Sequence, residues 1–382
     1  MIKALNSIPA VLAMVLFLIV NHSDTVQAST HTDNNPNTVR LVETADDNTP
    51  DLVDHVIPTV IYIFMEKNPA GSSDEFGGLL PDQTTPSMGV GTGFFINDQG
   101  YIVTNTHVVE DTKKLVIYYW DSPLEYSEAQ IVGMDKVADI AVIKINPESP
   151  TDYVEWGDSE DIRLGEDVVA IGHGLSMPWA VTKGIISMTY RQPDMTKPMI
   201  LYNQSDTVIN QGNSGGPLFN MRGEVVGVNT LLFSRTGAFS GVGFSIPSNL
   251  AKRSVDQIME TAEFDDEGNV VKQGYVKYPA IGIRFSTVET LEERNKLKDL
   301  GIASVIKVKE TPIDGAAYEA GLLPEDVIVS INGEEIISSI DLVKRLWYNK
   351  IGDTVDIVVY RNNEYIELPV TLKEFNFNQQ GK

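Results

Sequence analysis

From Val56 onward the chain repeats one pattern: a short run of β-branched, aromatic and aliphatic residues, then a cluster of polar and turn-forming ones. The runs are Val56–Phe64, Gly91–Ile96, Tyr101–Thr104, Lys114–Trp120, Ala129–Asp135, Ile140–Ile145, Asp167–Ile171, Gly184–Tyr190, Val225–Asn229 and Gly241–Ile246. Runs of this length, recurring about every 8–15 residues with turn signals between them, predict an antiparallel barrel or sandwich rather than βαβ units. Residues 66–88 are polar and rich in Gly and Pro, which reads as a loop. Ser248 to Met259 changes period. Leu250 and Ile258 fall on one apolar face, and Ser248 is placed as the N-cap of a helix.

The ends and the breaks divide the chain. Met1–Lys3 is a short positive start, Ile8–Val20 is apolar, and Val26-Gln27-Ala28 offers small or aliphatic residues two apart. The apolar run is short for a bilayer span of about 20 residues, so residues 1–28 read as a secretory signal cleaved after Ala28. The alternative is an uncleaved anchor formed by Ile8–Val20, a membrane tether. Either way the rest of the chain is exported. Residues 29–50 lack large apolar groups and are expected to form a disordered leader. The acidic, glycine-containing stretch Glu263–Asn269 marks a boundary. The expected order is a larger first domain over 51–262, an acidic linker over 263–274, a second small domain over 275–374 and a tail over 375–382.

Composition narrows the function classes. The 382 residues carry a formal charge of −24, and no long basic run exists to displace counterions from phosphates, so nucleic acid is not an expected partner. The acidity belongs to the first unit and its leader; the second unit is close to neutral by comparison. The absence of cysteine removes disulfides, thiol nucleophiles and cysteine-based metal sites together. The five histidines show no ligand-like spacing, so a histidine-based metal site is not expected.

Three segments carry the chemistry. Tyr101-Ile-Val-Thr-Asn-Thr-His-Val-Val109 runs a strand into a turn at His107. Val137-Ala-Asp-Ile-Ala-Val-Ile143 places Asp139 just before an apolar strand. Asn210-Gln-Gly-Asn-Ser-Gly-Gly-Pro-Leu218 sets Ser214 in a glycine-crowded turn. Each has a bland reading: a surface histidine, a turn-forming aspartate, a flexible serine loop. Together they describe a nucleophile, a base and the group that orients the base, and a serine-based reaction of this kind implies no cofactor. Glycines permit the tight turn that aims backbone N–H groups at a developing oxyanion, here the loop Gly212, Asn213 and Ser214, with Gly212 and Ser214 as donors. The order His…Asp…Ser is that of chymotrypsin-type enzymes and not that of subtilisin or the α/β-hydrolases. His173, in Ala170-Ile-Gly-His-Gly-Leu175, is the rival base; it follows Asp139 in a glycine turn and is read as a loop residue.

On these residues the chain resembles the HtrA (Deg) family of exported serine proteases over about residues 52–373. The matching stretches are Gly91-Thr-Gly-Phe-Phe-Ile96, Tyr101–Val109, Ala138–Ile145, Val168-Val-Ala-Ile-Gly172, Gln204-Ser-Asp206, Ile209–Pro217 and Gly241–Asn249. The resemblance implies a mostly β chain: a chymotrypsin-like double β-barrel followed by a small α+β PDZ domain. It also implies a triad of His107, Asp139 and Ser214, and an S1 pocket lined by Ile209, Phe233 and Val242 that suits aliphatic P1 residues. In the second unit Ala280, Ile281, Gly282 and Ile283 match the loop that receives a peptide C-terminus, and Val343 and Leu346 of the helix Asp341–Tyr348 match groove positions. The family implies ATP-independent cleavage of unfolded or damaged proteins by a homotrimer. A protease that cuts one membrane partner for signalling, and a non-catalytic PDZ chaperone or scaffold, are the rival functions. One departure stands out. Many relatives carry Asn-Pro-x-Gly where this chain has His173-Gly-Leu-Ser176.

Overall fold

The computed structural model describes residues 38–39, 48–67, 87–120, 126–174, 179–192, 200–232, 241–288 and 290–375. The expected signal or anchor, most of the leader, most of the 66–88 loop and the end of the tail lie outside the described residues.

Helix α1 (Thr49–Val56) has a proline in its first turn, where a missing N–H costs nothing, and buries Leu52 and Val56. A short 3₁₀ turn, Ile57–Thr59, then feeds strand β1 (Val60–Lys67). The run expected to be extended from Val56 is therefore split: Pro58 lies in the turn, and the chain extends only from Val60. The leader likewise ends earlier than expected, since the helix starts at Thr49.

Strands β1, β2 (Ser87–Phe95), β3 (Tyr101–Thr104), β4 (Thr112–Tyr118), β5 (Tyr126–Glu128), β6 (Gln130–Asp135) and β7 (Ile140–Lys144) form a seven-stranded antiparallel sheet in the order β5-β4-β1-β2-β3-β7-β6. The short helix α2 (Thr106–Val109) follows β3 directly. Both faces of the central strands are buried. Ile61, Ile63, Ile102, Ala141 and Ile143 pack in one core, while Val60, Val103, Ile140 and Val142 pack in another. Alternation of side chains across a strand puts neighbours on opposite faces, which is why these strands read as continuous apolar runs.

The next six strands close a barrel: β8 (Asp167–Gly172), β9 (Ala180–Arg191), β10 (Tyr202–Ser205), β11 (Pro217–Asn220), β12 (Val225–Leu232) and β13 (Gly243–Pro247), in the order β8-β9-β10-β13-β12-β11. The apolar pattern does not reveal β10 and β11. They are four-residue strands that include Asn203 and Ser205, fully or almost fully buried, and begin, in β11, with a proline. Closure gives every strand two neighbours, so ladder hydrogen bonds hold segments that hydrophobicity alone does not mark.

Helix α3 (Ser248–Thr261) packs Leu250, Ala251, Val255 and Ile258 onto the shared core. Ser248 is not its N-cap. Pro247 occupies that position, and the Ser248 hydroxyl donates across the molecule to the Gly157 carbonyl at 2.6 Å. The expected acidic linker is also structured: Glu263–Phe264 pairs with Val270–Lys272, Phe264 and Val270 pack on the core, and Gly274 N donates to Val132 O at 2.8 Å.

The C-terminal unit is a sheet β14 (Arg284–Thr287), β15 (Ile306–Glu310), β16 (Val327–Ile331), β17 (Thr354–Arg361) and β18 (Glu364–Thr371), in that spatial order, with helices α4 (Leu291–Asp299), α5 (Ala316–Glu319) and α6 (Ser339–Trp347). Helix α6 starts with a capping box made by Ser338 and Asp341. Its two apolar stripes go to different places. Leu342 and Leu346 join the unit's own core, whereas Val343 and Trp347 are buried with Tyr278 and with Leu250 and Ala251 of the first unit. Glu160 adds a polar clamp, paired with Lys344 and accepting from Tyr190 and, at 2.6 Å, from the Tyr348 hydroxyl. Burial raises the Glu160 pKa, but the hydrogen bonds from Lys344, Tyr190 and Tyr348 outweigh it and hold the group below the usual carboxylate range.

Beneath this contact sits Asp135, 2% exposed. Its Oδ1 accepts from the N–H groups of Val137 (3.0 Å) and Ala138 (3.1 Å), and its Oδ2 from Ser254 Oγ (2.6 Å) and the Tyr278 hydroxyl (2.5 Å). Removing one donor from a buried acceptor of this kind costs about 1–3 kcal/mol. Tyr278→Phe is therefore expected to lower unfolding stability by that amount in urea titrations at pH 7. An unchanged midpoint would show that the Tyr278–Asp135 bond contributes nothing net.

Candidate active site

The site is assembled from both β units. Strand β3 ends at Thr104 and helix α2 turns His107 out, with Val108 and Val109 buried behind it. Thr106 fixes that turn. Its hydroxyl donates to Ile140 O at 2.8 Å and Asp135 O at 3.1 Å, and its N–H to Asp139 O at 3.2 Å. Asp139 has φ of 59°, the left-handed region that Asp tolerates better than most residues. Its carbonyl also accepts from Asn105 Nδ2 at 2.8 Å.

The imidazole and carboxylate meet squarely. His107 Nδ1 lies 2.7 Å from Asp139 Oδ2, and His107 N donates to Asp139 Oδ1 at 3.0 Å. The histidine side chain is half exposed, at 48%, so its far edge faces solvent. Thr230 completes the carboxylate's surroundings, donating from Oγ1 to Asp139 Oδ2 at 2.7 Å, while its carbonyl accepts the Ser214 hydroxyl at 3.1 Å. Thr230 thus touches the orienting carboxylate and the serine at once. Sequence reasoning missed it because it is one hydroxyl inside the apolar run Val225-Val-Gly-Val-Asn-Thr-Leu-Leu232; its distinguishing signal is that hydroxyl among aliphatic neighbours.

The loop Gly212–Gly216 is held by its carbonyls. Gly212 O accepts from Thr92 Oγ1 at 2.7 Å, Asn213 O from Gly216 N at 3.0 Å, and Ser214 O from Thr92 N at 3.0 Å. The N–H groups of Asn213, Gly215 and Gly216 are also engaged. Gly212 N–H and Ser214 N–H bond to no other described residue. In a planar trans peptide the carbonyl and the following N–H point opposite ways, so pinning Asn213 O inward turns Ser214 N–H outward. Gly212 adopts φ of 104°, and a β-carbon there would lie 2.3 Å from His173 O.

His173 does not join the proton-handling pair. It is fully buried, its ring 4.6 Å from Tyr62 and 5.0 Å from Trp179 by centroid, and its Nδ1 is 2.9 Å from Thr92 Oγ1. Of the expected S1 residues, Ile209 is buried against Gly243 and Val242 packs on the shared core; Phe233 lies outside the described residues.

Residues 91–228 match the family model described as a trypsin-like peptidase domain, and residues 279–372 match the PDZ domain model. A probable periplasmic serine endoprotease, DegP-like, from Chlamydia trachomatis serovar D is 37% identical over 74% of this chain and 54% of its own length. A similarly named protein from Pseudomonas putida W619 is 35% identical over 83% of this chain and 62% of its own. Among solved structures, the HtrA-type protease AlgW with tripeptide superposes with a TM-score of 0.69 at 27% identity, covering 86% of this chain and 97% of that one. The chain therefore carries a trypsin-like peptidase domain followed by a PDZ domain, and the solved structures it superposes on are HtrA-type proteases. It spans about half the length of the first DegP-like relatives it matches.

The peptidase-like unit comes first and the PDZ domain second. In the PDZ domain, Ile281 O accepts from Ala317 N at 2.6 Å, and Gly282 has φ of 71°. The N–H groups of Ile281, Gly282 and Ile283 bond to no other described residue, three consecutive donors at one loop, while Ala280 is paired with Lys373. The expected groove residues differ. Val343 is turned onto the peptidase-like unit and is 5% exposed, and Leu346 is inside the PDZ core, so neither faces an open groove. The reason is the second apolar stripe of α6, which finds its partner in α3.

Burial pushes the His173 pKa down to about 3. An unfolded chain protonates this imidazole near pH 6.5, so between the two values the unfolded state binds one proton more, and stability falls as pH drops through that window. His173→Asn removes that term. Between pH 7 and pH 4.5 the variant is expected to lose about 2–3 kcal/mol less unfolding stability than the wild type, measured by urea midpoints at both pH values. Equal losses would show that His173 is not held neutral by the fold.

Proposed function

We propose that this chain is an HtrA-type, exported, ATP-independent serine endopeptidase that degrades unfolded or damaged proteins, with its PDZ domain taking peptide C-termini. The observation that carries the reading is the His107–Asp139 pair at 2.7 Å, joined through Thr230 to a serine whose loop leaves two N–H groups without partners among the described residues. His107, Asp139 and Ser214 are the catalytic residues in this reading. The Ser214 hydroxyl leaves the Thr230 carbonyl and donates to His107 Nε2 as Oγ attacks the scissile carbonyl carbon. Asp139 holds the Nδ1–H tautomer and stabilises the imidazolium, and Gly212 N and Ser214 N receive the oxyanion. His107 then protonates the leaving amine, and water attacks the acyl-enzyme by the same route in reverse. Ile209, Phe233 and Val242 form the S1 pocket. The domain bounds of 51–262 and 275–374, cleavage of the signal after Ala28, a periplasmic location and a homotrimer follow from that HtrA-type identity and complete the proposal. The peptide complexes of the AlgW structures support peptides as ligands of this chain as well.

Ser214→Ala is expected to lower kcat on unfolded casein by several orders of magnitude, and Asp139→Asn by about 10⁴ through the wrong His107 tautomer. Cleavage sites read by mass spectrometry should favour Val, Ile and Ala at P1; a map dominated by Lys and Arg would overturn the S1 assignment. Near-normal turnover by Ser214→Ala would remove it as nucleophile.

Peptides with a free, hydrophobic C-terminus are expected to bind the loop Ala280–Ile283, because three consecutive N–H donors suit a carboxylate. Isothermal titration of the full chain with free and C-terminally amidated versions of one peptide checks this. Equal affinity for the two would reject carboxylate recognition.

A further inference from the structure

Thr92 makes contacts that its place in a buried strand does not require. Its N–H donates to Ser214 O at 3.0 Å and its hydroxyl to Gly212 O at 2.7 Å, so one residue of β2 grips the nucleophile loop at both ends. A hydroxyl has one proton and two acceptor sites. With the proton given to Gly212 O, both remaining sites are filled from His173: the backbone N–H at 3.2 Å and Nδ1 at 2.9 Å. Nδ1 therefore brings its own proton, and Nε2 carries a lone pair. That lone pair is buried and has no partner among the described residues. A buried imidazole tautomer is thus selected by Thr92 alone.

The turn around His173 also touches the loop by shape. A β-carbon on Gly172 or Gly174 would come within 2.8 Å or 2.9 Å of Asn213 Oδ1, and one on Gly212 within 2.3 Å of His173 O. The two turns are pressed together, with the Asn213 side chain packed directly on the glycine backbone. The peptide between Gly212 and Asn213 cannot rotate without breaking the Thr92 hydroxyl bond on one side and the Asn213 N to Asn210 O bond, 3.0 Å, on the other.

We propose that Thr92 and His173 are positioning residues for the oxyanion hole, a relay in which the neutral His173 ring orients the Thr92 hydroxyl and that hydroxyl fixes the Gly212 carbonyl so that the loop's free N–H groups face the site. The proposal rests on the reading of Ser214 as nucleophile. It identifies the departure at His173 as a replacement support for the loop. Burial pushes the His173 pKa down to about 3, so the relay keeps one protonation state around neutral pH.

The relay acts on the transition state and not on substrate binding, so the readout is a split between kcat and KM. Thr92→Val removes the hydroxyl and keeps the shape; it should lower kcat about 10- to 100-fold on a short chromogenic peptide with KM within about threefold, a smaller loss than deleting an oxyanion donor outright. Thr92→Ser keeps the hydroxyl and should stay within about fivefold of wild type. His173→Phe keeps a ring between Tyr62 and Trp179 but loses the Nδ1 proton, and should lower kcat about tenfold; His173→Asn can place an amide N–H at the Nδ1 position and should recover most of it. The double variant Thr92→Val/His173→Phe should be no worse than Thr92→Val, since both cut one relay. Affinity for a peptide aldehyde, whose adduct places an oxyanion in the hole, should weaken in step with kcat/KM. Wild-type kcat in Thr92→Val and His173→Phe, equal losses in Thr92→Ser and Thr92→Val, or multiplying losses in the double variant overturn the relay. Should Thr92→Val not fold, the His173→Phe and His173→Asn pair decides. Labelling of Ser214 by a fluorophosphonate, mapped by mass spectrometry, separates the two levels: an unlabelled Ser214 in active wild type sinks the reading of the site itself, whereas labelled Ser214 with unaffected variants sinks only the relay.

Discussion

Gly215 leaves no room for a methyl group. A β-carbon there would lie 2.2 Å from Thr104 Oγ1 and 2.3 Å from Thr92 O, and the residue sits at φ of 84°. This is where the barrel's serine loop lies flat against the first sheet, and the whole site is built across that seam. His107 and Asp139 stand on the sheet side; Ser214 and Thr230 stand on the barrel side. Any side chain at Gly215 would push the two apart, and the hydrogen bonds from Thr92 to Ser214 O and Gly212 O would lengthen together. The glycines of the loop serve close approach as much as they serve backbone freedom.

What could be read from the sequence follows from how local each signal is. His107, Asp139 and Ser214 are each embedded in a short segment whose turn chemistry is encoded by its immediate neighbours, so their candidacy and order were legible. Thr92, Thr230 and Asp135 were not. Each looks like an ordinary polar residue in or beside an apolar strand, and each meets partners far away in the chain, as Thr230 does Asp139 and Thr92 does Gly212. The strands tell the same story. Runs such as Ile140–Ile145 announce themselves because both faces are buried, whereas Tyr202–Ser205 is held by barrel closure and carries no apolar signature. Val56–Phe64 misleads because β-branched residues in Val56–Thr59 serve a helix end and a 3₁₀ turn, with Pro58 as the overlooked signal.

Helix α6 shows a limit of amphipathic reasoning. Its apolar residues fall on two adjacent stripes, and periodicity alone does not say which stripe meets which neighbour. Family resemblance placed Val343 and Leu346 in a peptide groove. In the molecule, Leu346 closes the PDZ core while Val343 and Trp347 are covered by the unit that carries the serine. The same stripe brings Tyr278 to Asp135, whose other oxygen caps the turn leading to Asp139. The Tyr278 ring packs 5.3 Å from Trp347, so one apolar contact seats both a helix and a buried hydrogen bond. Only Pro279 and Ala280 separate Tyr278 from the first free N–H of the PDZ loop, at Ile281, which makes this short segment the physical link between the two units.

Apolar packing holds the two β units together, but it is non-directional and cannot by itself aim two N–H groups at one point. Hydrogen bonds can, and around the loop they are buried: Thr92, Thr104 and Asn105 are fully enclosed. Directionality has a cost. Asn105 Oδ1, His173 Nε2, Asn213 Oδ1 and Asn229 Oδ1 are buried atoms without partners among the described residues, and all four belong to residues on or against the serine loop. A buried polar atom left unpaired costs about 1–3 kcal/mol. An arrangement selected for stability alone would replace such groups with hydrocarbon of the same shape. Four such atoms gathered at one loop are what a fold looks like where position has been favoured over stability.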